Sequence, residues 1–330
     1  MTRPNVKLTK KQLVLLVIIA VGLLVFGILT AVSGAVAGTQ KTQYCAKYWD
    51  PDGRYSMVSV FLPEDSDTLD QALIKEAMEA PADNARLYVA AYSVKSQVSL
   101  FSQRAKSQQC TAYGVGGDFF RFHNYELISG SYLMEDSIAN DQVVIDEEAA
   151  WKIFGAIEVD GMTLTYNGKE YIVQGVVKPQ DGYKTKTGGA ESGTVFFPLE
   201  AIGQDADCYE IIFPNPVSGF ALKQVKEAFT SCGYSEDDIR VIDNSERYSF
   251  VNSAKRVLKW TDKGMAFKAL KYPYWENSAI AVENIVDLLT FFRIIFIIPP
   301  IAIVIISVIC FHPIHRLKLL ILRIVEHFRK

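Results

Sequence analysis

The chain has 330 residues, is 49% hydrophobic and carries a formal net charge of −3, with the charge strongly segregated. Residues 38–290 hold 36 of the 37 acids but only 24 of the 34 Lys and Arg residues, while both ends are basic. An acidic middle excludes nucleic acid as a partner there.

Arg3, Lys7, Lys10 and Lys11 open the chain without an acid, and residues 13–32, LVLLVIIAVGLLVFGILTAV, hold no charge. A second uncharged run, IIFIIPPIAIVIISVICF, covers residues 294–311. The tail after it carries Arg316, Lys318, Arg323, Arg329 and Lys330 against Glu326 alone. A spanning helix takes about 20 apolar residues, so each run predicts a membrane span. Cationic flanks stay cytoplasmic. The expectation is a two-pass protein of the cell membrane, both termini cytoplasmic and the main domain extracytoplasmic. Ala35-Val36-Ala37 also reads as a signal-peptide cleavage site. The apolar run is nevertheless long for a signal core of about 7–15 residues, which favours a retained anchor.

After a polar connector (38–54), YSMVSVFLP (55–63) reads as a strand. TLDQALIKEAMEA (68–80) reads as a helix capped by Thr68 and stopped before Pro81. ARLYVAAYSV (85–94) is the returning strand. The same order recurs downstream in CYEIIFP (208–214), GFALKQVKEAFTSCG (219–233) and DIRVID (238–243), with Gly233 ending the helix. The expected fold class is an α+β ectodomain between two transmembrane helices, built from two β-α-β halves with an inserted β-rich lobe. Within that lobe VVID (143–146) is a strand, Glu147 to Phe154 a short helix, and Gly155 its stop. MTLTYNGKEYIVQGVV (162–177) is a hairpin about Asn167-Gly168, a type I′ signal. DGYKTKTGGAESG (181–193) is a flexible, exposed loop, and GTVFFPL (193–199) a further strand.

Residues 247–277 are mixed in character, with aromatics at Tyr272, Tyr274 and Trp275. From Ser278 a long helix is expected, with Ile285, Leu288, Leu289 and Phe292 at helical spacing. Run to Phe311 it would be ~50 Å long against a ~30 Å hydrocarbon core, so its first turns should form a stalk. Those four residues are candidates for contact with another subunit, or for packing on the chain's own first span. Pro299-Pro300 predict a kink. The tail, HRLKLLILRIVEHFRK, puts Leu317, Leu320, Ile321, Ile324, Val325 and Phe328 on one face. That is the pattern of a helix lying on the lipid bilayer surface or docking on a cytoplasmic partner.

Cys45, Cys110, Cys208 and Cys232 lie outside the spans and Cys310 within the second. An oxidising exterior favours disulfides, and four cysteines allow three pairings. Cys208–Cys232 with Cys45–Cys110 is the first expectation, four buried thiols the alternative. The ectodomain's one histidine, His123, and the absence of a CxxC spacing argue against zinc. Neither a G-x-x-x-x-G-K-[ST] loop nor a G-x-S-x-G elbow occurs. The acid pairs Glu147-Glu148 and Asp237-Asp238 sit where carboxylates favour a helix dipole. Neither a cofactor nor enzymatic activity is expected.

Three phrases carry a resemblance: FFRFHNYELISGSYL, QVVIDEEAAWKIFG and GMTLTYNGKEYIVQGVV, in that order over residues 119–177. Together with the arrangement of spans they resemble the periplasmic core domain of MacB/FtsX-type ABC transporter permeases, over about residues 1–311. Ser131 stands where that family usually has Arg, and Ile153-Phe154-Gly155 replaces Leu-Phe-Gly. The resemblance implies the following layout. Residues 1–37 form the cytoplasmic N-terminus and first span. Residues 38–94 and 206–277 are halves of a porter-like layer, the second with its connector, around an inserted lobe at 95–205. Residues 278–311 are stalk and second span, and 312–330 a cytoplasmic amphipathic helix. It implies a non-catalytic membrane subunit whose ectodomain engages substrate or an accessory protein. A separate cytoplasmic ABC ATPase binds the ATP. Such permeases have four spans, so a second permease-type subunit supplying further spans is expected. The alternative is a membrane-anchored extracytoplasmic binding or scaffold protein without transport.

Overall fold

The structure, a computed structural model, describes residues 9–49, 51, 54–62, 71–79, 88–102, 107–133, 140–235, 239–259 and 272–311. It divides into a helical unit, Met1–Ala35 with Ile285–Lys330, and a sheet unit, Val36–Asn284. In chain order the elements begin with α1 (Lys10–Ala37), a 3-10 turn (Lys41–Tyr44), α2 (Cys45–Trp49), β1 (Tyr55–Phe61), α3 (Gln71–Glu79) and β2 (Val89–Leu100). Next come β3 (Gln108–Gly117), α4 (Phe119–His123), β4 (Leu127–Gly130), β5 (Gln142–Asp146), α5 (Glu147–Phe154), β6 (Thr163–Tyr166) and β7 (Lys169–Val177). The chain closes with β8 (Thr194–Pro198), α6 (Leu199–Ile202), β9 (Cys208–Pro214), α7 (Phe220–Ser231), β10 (Arg240–Asp243), α8 (Phe250–Leu258) and α9 (Tyr274–Phe311).

The strands form one mixed sheet in the order β10-β1-β9-β2-β3-β8-β5-β7-β4, with β6 on β7. Both expected β-α-β units, β1-α3-β2 and β9-α7-β10, contribute to the β10-β1-β9-β2 end. The expected strand at 85–94 is longer than its apolar stretch, because β2 continues to Leu100 against β3. Strand parity sorts the side chains by face. Val58, Val60, Tyr209 and Ile211 point to one side and pack with Ile74, Val225 and Phe229 of α3 and α7. Val143, Ile145, Val195 and Phe197 point to that of α5, with Ala149 and Ile153. The alternate residues, Met57, Phe61, Tyr113, Val144, Phe196 and Ile212, form a third cluster with Phe119, Phe120, Tyr274 and Trp275. Strands apolar on both faces lose the hydrophobic–polar alternation and read as continuous runs.

Parity also decides the cysteines. Cys45, Cys110, Cys208 and Cys232 are not disulfide-bonded, so the two expected disulfides do not form. Cys208 belongs to the cluster of Phe119 and Trp275, whereas Cys232 packs against the α3–α7 cluster on the other face. Cys45 and Cys110 are separated in the same way, between the cluster of Trp275 and that of α5. Layers stacked on a sheet are ~10 Å apart, beyond the ~7 Å Cα limit of a disulfide. Burial pushes the Cys110 thiol up to about 11 and raises Cys45 and Cys208 as well, with Glu210 adding to both. Thiols so held are poor nucleophiles.

Two expected turns take their predicted geometry. Asn167 and Gly168 both have positive φ, as a type I′ turn requires. Gly155 ends α5 in the left-handed conformation, its N–H donating to Ala150 and Trp151 carbonyls. At the other end Asp146 is buried, and its carboxylate accepts from Ala149 N at 2.6 Å, Thr194 N at 2.8 Å and Gly193 N at 3.0 Å. The cap thus fastens α5 to the start of β8. Asp146→Ala should lower stability by about 1–3 kcal/mol through the lost cap and unpaired N–H groups. A urea titration in detergent followed by tryptophan fluorescence reads this, and an unchanged midpoint would rule it out.

Glycines close the β4–β7 seam. Gly130 pairs with Gly175 beside a bulge. A Cβ on Gly130, at φ +73°, would lie 2.1 Å from Gln174 O, and one on Gly175 would lie 2.3 Å from Ser131 O. Both glycines belong to the phrases that carried the resemblance.

In the helical unit the covered stripe of α1 is Ile19, Gly22, Phe26, Leu29 and Ser33. A Cβ on Gly22 would meet Pro300 Cγ at 2.6 Å and Phe296 O at 2.8 Å, so the helices cross closely there. Helix α9 is unbroken through Pro299 and Pro300. Proline has no N–H for the i−4 carbonyl, which here is that of Phe296. The covered stripe of α9 includes Val286, Thr290, Arg293 and Pro300. The Arg293 guanidinium lies 5.3 Å from the Phe26 ring centroid. Of the expected contact residues, Leu288 and Phe292 are exposed, and Ile285 and Leu289 are half-buried. They are not the main α1-facing stripe. The amphipathic tail with Leu317, Leu320, Ile321, Ile324, Val325 and Phe328 lies outside the described residues.

Candidate functional site

The first turns of α9 are built into the sheet unit rather than standing free. The helix starts at Tyr274, four residues before the expected Ser278. Tyr274, Trp275, Glu276, Ser278, Ala279 and Val282 are all buried. Three groups of contacts hold them.

The first is aromatic. Trp275 lies between His123 and Tyr113, with ring centroids at 4.3 and 5.5 Å. Tyr274 Oη is 2.6 Å from Tyr125 Oη and donates to Gln180 Oε1 at 3.0 Å. Gln180 in turn donates to the His123 carbonyl. His123 Nε2 lies 2.7 Å from Glu210 Oε2, a buried carboxylate on β9. His123, the one ectodomain histidine, therefore joins the strand to the helix.

The second group is ionic. Arg247 donates to both carboxylate oxygens of Glu276 at 2.7 Å, and through Nε to Glu283 at 2.7 Å. Arg256 adds a 3.2 Å ion pair to Glu283. Burial alone would lower the Arg247 pKa, but the carboxylates of Glu276 and Glu283 hold it well above the usual guanidinium value. Tyr248 Oη donates to the Ala279 carbonyl at 3.2 Å. Asn244 continues the polar chain into the sheet through Ser59 Oγ at 2.7 Å. A bidentate guanidinium–carboxylate pair fixes direction as well as distance. Since all three acceptors on α9 lie at i, i+3 and i+7, one face of two helical turns is gripped.

The third group involves the loop at 181–193, which is exposed over most of its length as expected but is tied to α9 at its middle. Thr185 and Gly188 are buried. Asn277 Nδ2 donates to the Gly188 carbonyl at 3.1 Å, and Ser278 Oγ to the Tyr183 carbonyl at 3.3 Å. A Cβ on Gly188 would lie 2.5 Å from Tyr274 O and 2.8 Å from Ser278 N. The glycine is there to let loop and helix backbones touch, a role its composition alone suggests only as flexibility. Gln40 joins the same cluster, donating to Tyr183 O at 3.1 Å and accepting from Ser278 Oγ at 3.2 Å.

Sequence reasoning placed Tyr274 and Trp275 among the aromatics but missed Arg247, Arg256, Glu276, Glu283, His123 and Glu210 as a connected set. Two signals were available. Glu210 is a lone acid in the otherwise apolar strand CYEIIFP, and Glu276 and Glu283 are seven apart on one helix face. Cys45 and Cys208 pack in the same apolar cluster as Tyr274 and Trp275, whereas Cys110 and Cys232 belong to the other face and Leu288 and Phe292 are exposed.

Residues 13–231, from α1 through α7, match the family model of the MacB-like periplasmic core domain. The chain belongs to that family. The MacB-like chain is accordingly an ABC-transporter-type membrane subunit with an extracytoplasmic domain. Two helices, in Lys10–Ala37 and Tyr274–Val308, are long and apolar enough to cross a membrane. The matched stretch stops at Ser231, so Arg247, Glu276 and Glu283 lie beyond it. Among solved structures, the periplasmic region of MacB from Actinobacillus actinomycetemcomitans is similar at 17% identity and TM-score 0.46, over 64% of this chain and 94% of that one. The extracellular domain of the noncanonic ABC-type transporter YknZ from Gram-positive bacteria is similar at 14% identity and TM-score 0.42, over 56% and 99%. A domain of a permease protein from Porphyromonas gingivalis is similar at 14% identity and TM-score 0.37, over 57% and 86%. No curated protein matches this chain.

Proposed function

We infer that this chain is a non-catalytic membrane subunit of a MacB-like ABC transport or mechanotransmission system. A separate cytoplasmic ATPase binds and hydrolyses the ATP, and both termini of this chain face it. The observation that carries this reading is the built-in base of α9. A helix base gripped by Arg247 and Gly188, with its own Trp275 set against His123 and Tyr113, moves only with the sheet it is fastened to, so displacement of that base becomes displacement of the ectodomain. On this reading residues 38–94 and 206–277 act as porter-like halves and 95–205 as the lobe that meets substrate or accessory protein. Leu288 and Phe292, together with Ile285 and Leu289, supply the contact to a second permease-type subunit, which their outward placement on α9 favours. A scaffold reading draws on the 181–193 loop for partner binding, and the seating of Gly188 on α9 ties the middle of that loop to the helix instead.

The test is purification of the tagged full-length chain from its native membranes in mild detergent, followed by mass spectrometry. An ABC ATPase and a further permease subunit should copurify in fixed ratio. Recovery of this chain without any ATPase would end the transport reading.

A further inference from the structure

Helix α8 carries an apolar face turned away from the sheet unit. Val251 is 60% and Leu258 80% exposed. Seven residues apart, they lie almost directly above one another on the helix. Lys255 lies between them and Lys259 follows, both exposed. The opposite side carries the buried Ser253 and the half-buried Arg256. The most exposed strip of α8 is therefore apolar with lysines along its margin, the pattern of a helix that lies in a membrane interface.

Its position on α9 points the same way. Arg247 and Arg256 both pair with Glu283, and Tyr248 bonds the Ala279 carbonyl. These contacts hold α8 and the residues before it beside the turns of α9 that carry Glu276, Ala279 and Glu283. After Glu283 and Asn284 the α9 sequence becomes mainly apolar, with Ile285, Val286, Leu288 and Leu289 around Asp287, and beyond Arg293 it is uncharged. Helix α2 adds exposed aromatics, Tyr48 at 71% and Trp49 at 45%. Tyr44, just before α2, lies near Tyr248, two residues before α8, their ring centroids 6.2 Å apart. Tyr and Trp with one apolar side and one polar tip favour the headgroup level of a bilayer.

We propose that α8, with the tip of α2, is a lipid-contacting surface. Val251 and Leu258 insert at the headgroup–acyl boundary, and Lys255 and Lys259 bind anionic lipid phosphates. Lipid is favoured over a protein partner because the face is cationic and is tied to the helix turns that precede an apolar span.

The full-length chain can be reconstituted in nanodiscs of phosphatidylcholine, with and without phosphatidylglycerol. An environment-sensitive fluorophore is placed at Leu258→Cys or, as control, at Lys169→Cys in the β6–β7 hairpin at the other end of the sheet order. The unsubstituted chain gives the labelling background. Nitroxide on the lipid headgroup should quench the probe at 258 but not that at 169. Phosphatidylglycerol should deepen the quenching, and Lys255→Glu with Lys259→Glu should abolish that increment. A probe at 258 that headgroup nitroxide fails to quench overturns the proposal. Aqueous emission would then mean a free face, and blue-shifted emission a second copy, a protein partner or residues 260–271 as the cover. Quenching that ignores both the anionic lipid and the charge reversal overturns the phosphate contact.

Discussion

Arg247→Met should lower the stability of the ectodomain by about 3–5 kcal/mol, because it leaves the Glu276 carboxylate buried without its guanidinium. Glu276 is fully buried and Arg247 almost so. For a domain of this size that corresponds to a fall in Tm of roughly 10 °C. Glu276→Leu alone strands the opposite charge, although Glu283 still partners Arg247 at 2.7 Å, so the loss should be smaller. The double variant should lie well above the sum of the singles, since an apolar pair replaces a buried ion pair at little cost. Thermal unfolding of the full-length chain in detergent, followed through near-ultraviolet circular dichroism, measures all three. Single-variant losses within about 1 kcal/mol of zero would show that the network is merely decorative.

The second large effect is expected at the β4–β7 seam. Gly130→Ala should cost about 3 kcal/mol or more, combining left-handed strain with overpacking against backbone. The obstacle is Gln174 O at 2.1 Å, which no side-chain rotation can move. Gly175→Ala should cost somewhat less, since its obstacle is Ser131 O at 2.3 Å and its φ is not positive. Gly168→Ala is the comparison, with positive φ but open space around it, and should lose only about 1 kcal/mol. Equal losses at Gly130 and Gly168 in urea titrations would assign the whole effect to φ and none to the close approach.

What was legible in the sequence is what local physics writes there. Both β-α-β units, α5 with its Gly155 stop and the Asn167-Gly168 turn follow from periodicity and turn chemistry, which act over a few residues. What stayed hidden depends on partners far along the chain. Helix α8 leaves Val251 and Leu258 exposed rather than in the core, and its place is set by Arg247 and Arg256 reaching Glu276 and Glu283. The cysteine pairing failed because β1 and β9 are buried on both faces, so their runs do not reveal which way Cys208 points. Gly188 reads as part of a flexible loop until the backbone it must touch, at Tyr274 and Ser278, is in place. The site was therefore legible residue type by residue type but not as an assembly.

The hydrogen bond between Gln40 and Ser278 has a consequence for how such a chain can be constructed. It brings together the points at which the polypeptide enters and leaves the sheet unit. A domain whose ends coincide is a cassette: it can be inserted wherever two neighbouring helices emerge about 10 Å apart, without rebuilding either helix. The same closeness makes the unit a good subject for circular permutation, with a short linker replacing the two membrane helices and new ends cut in the Asn167-Gly168 turn.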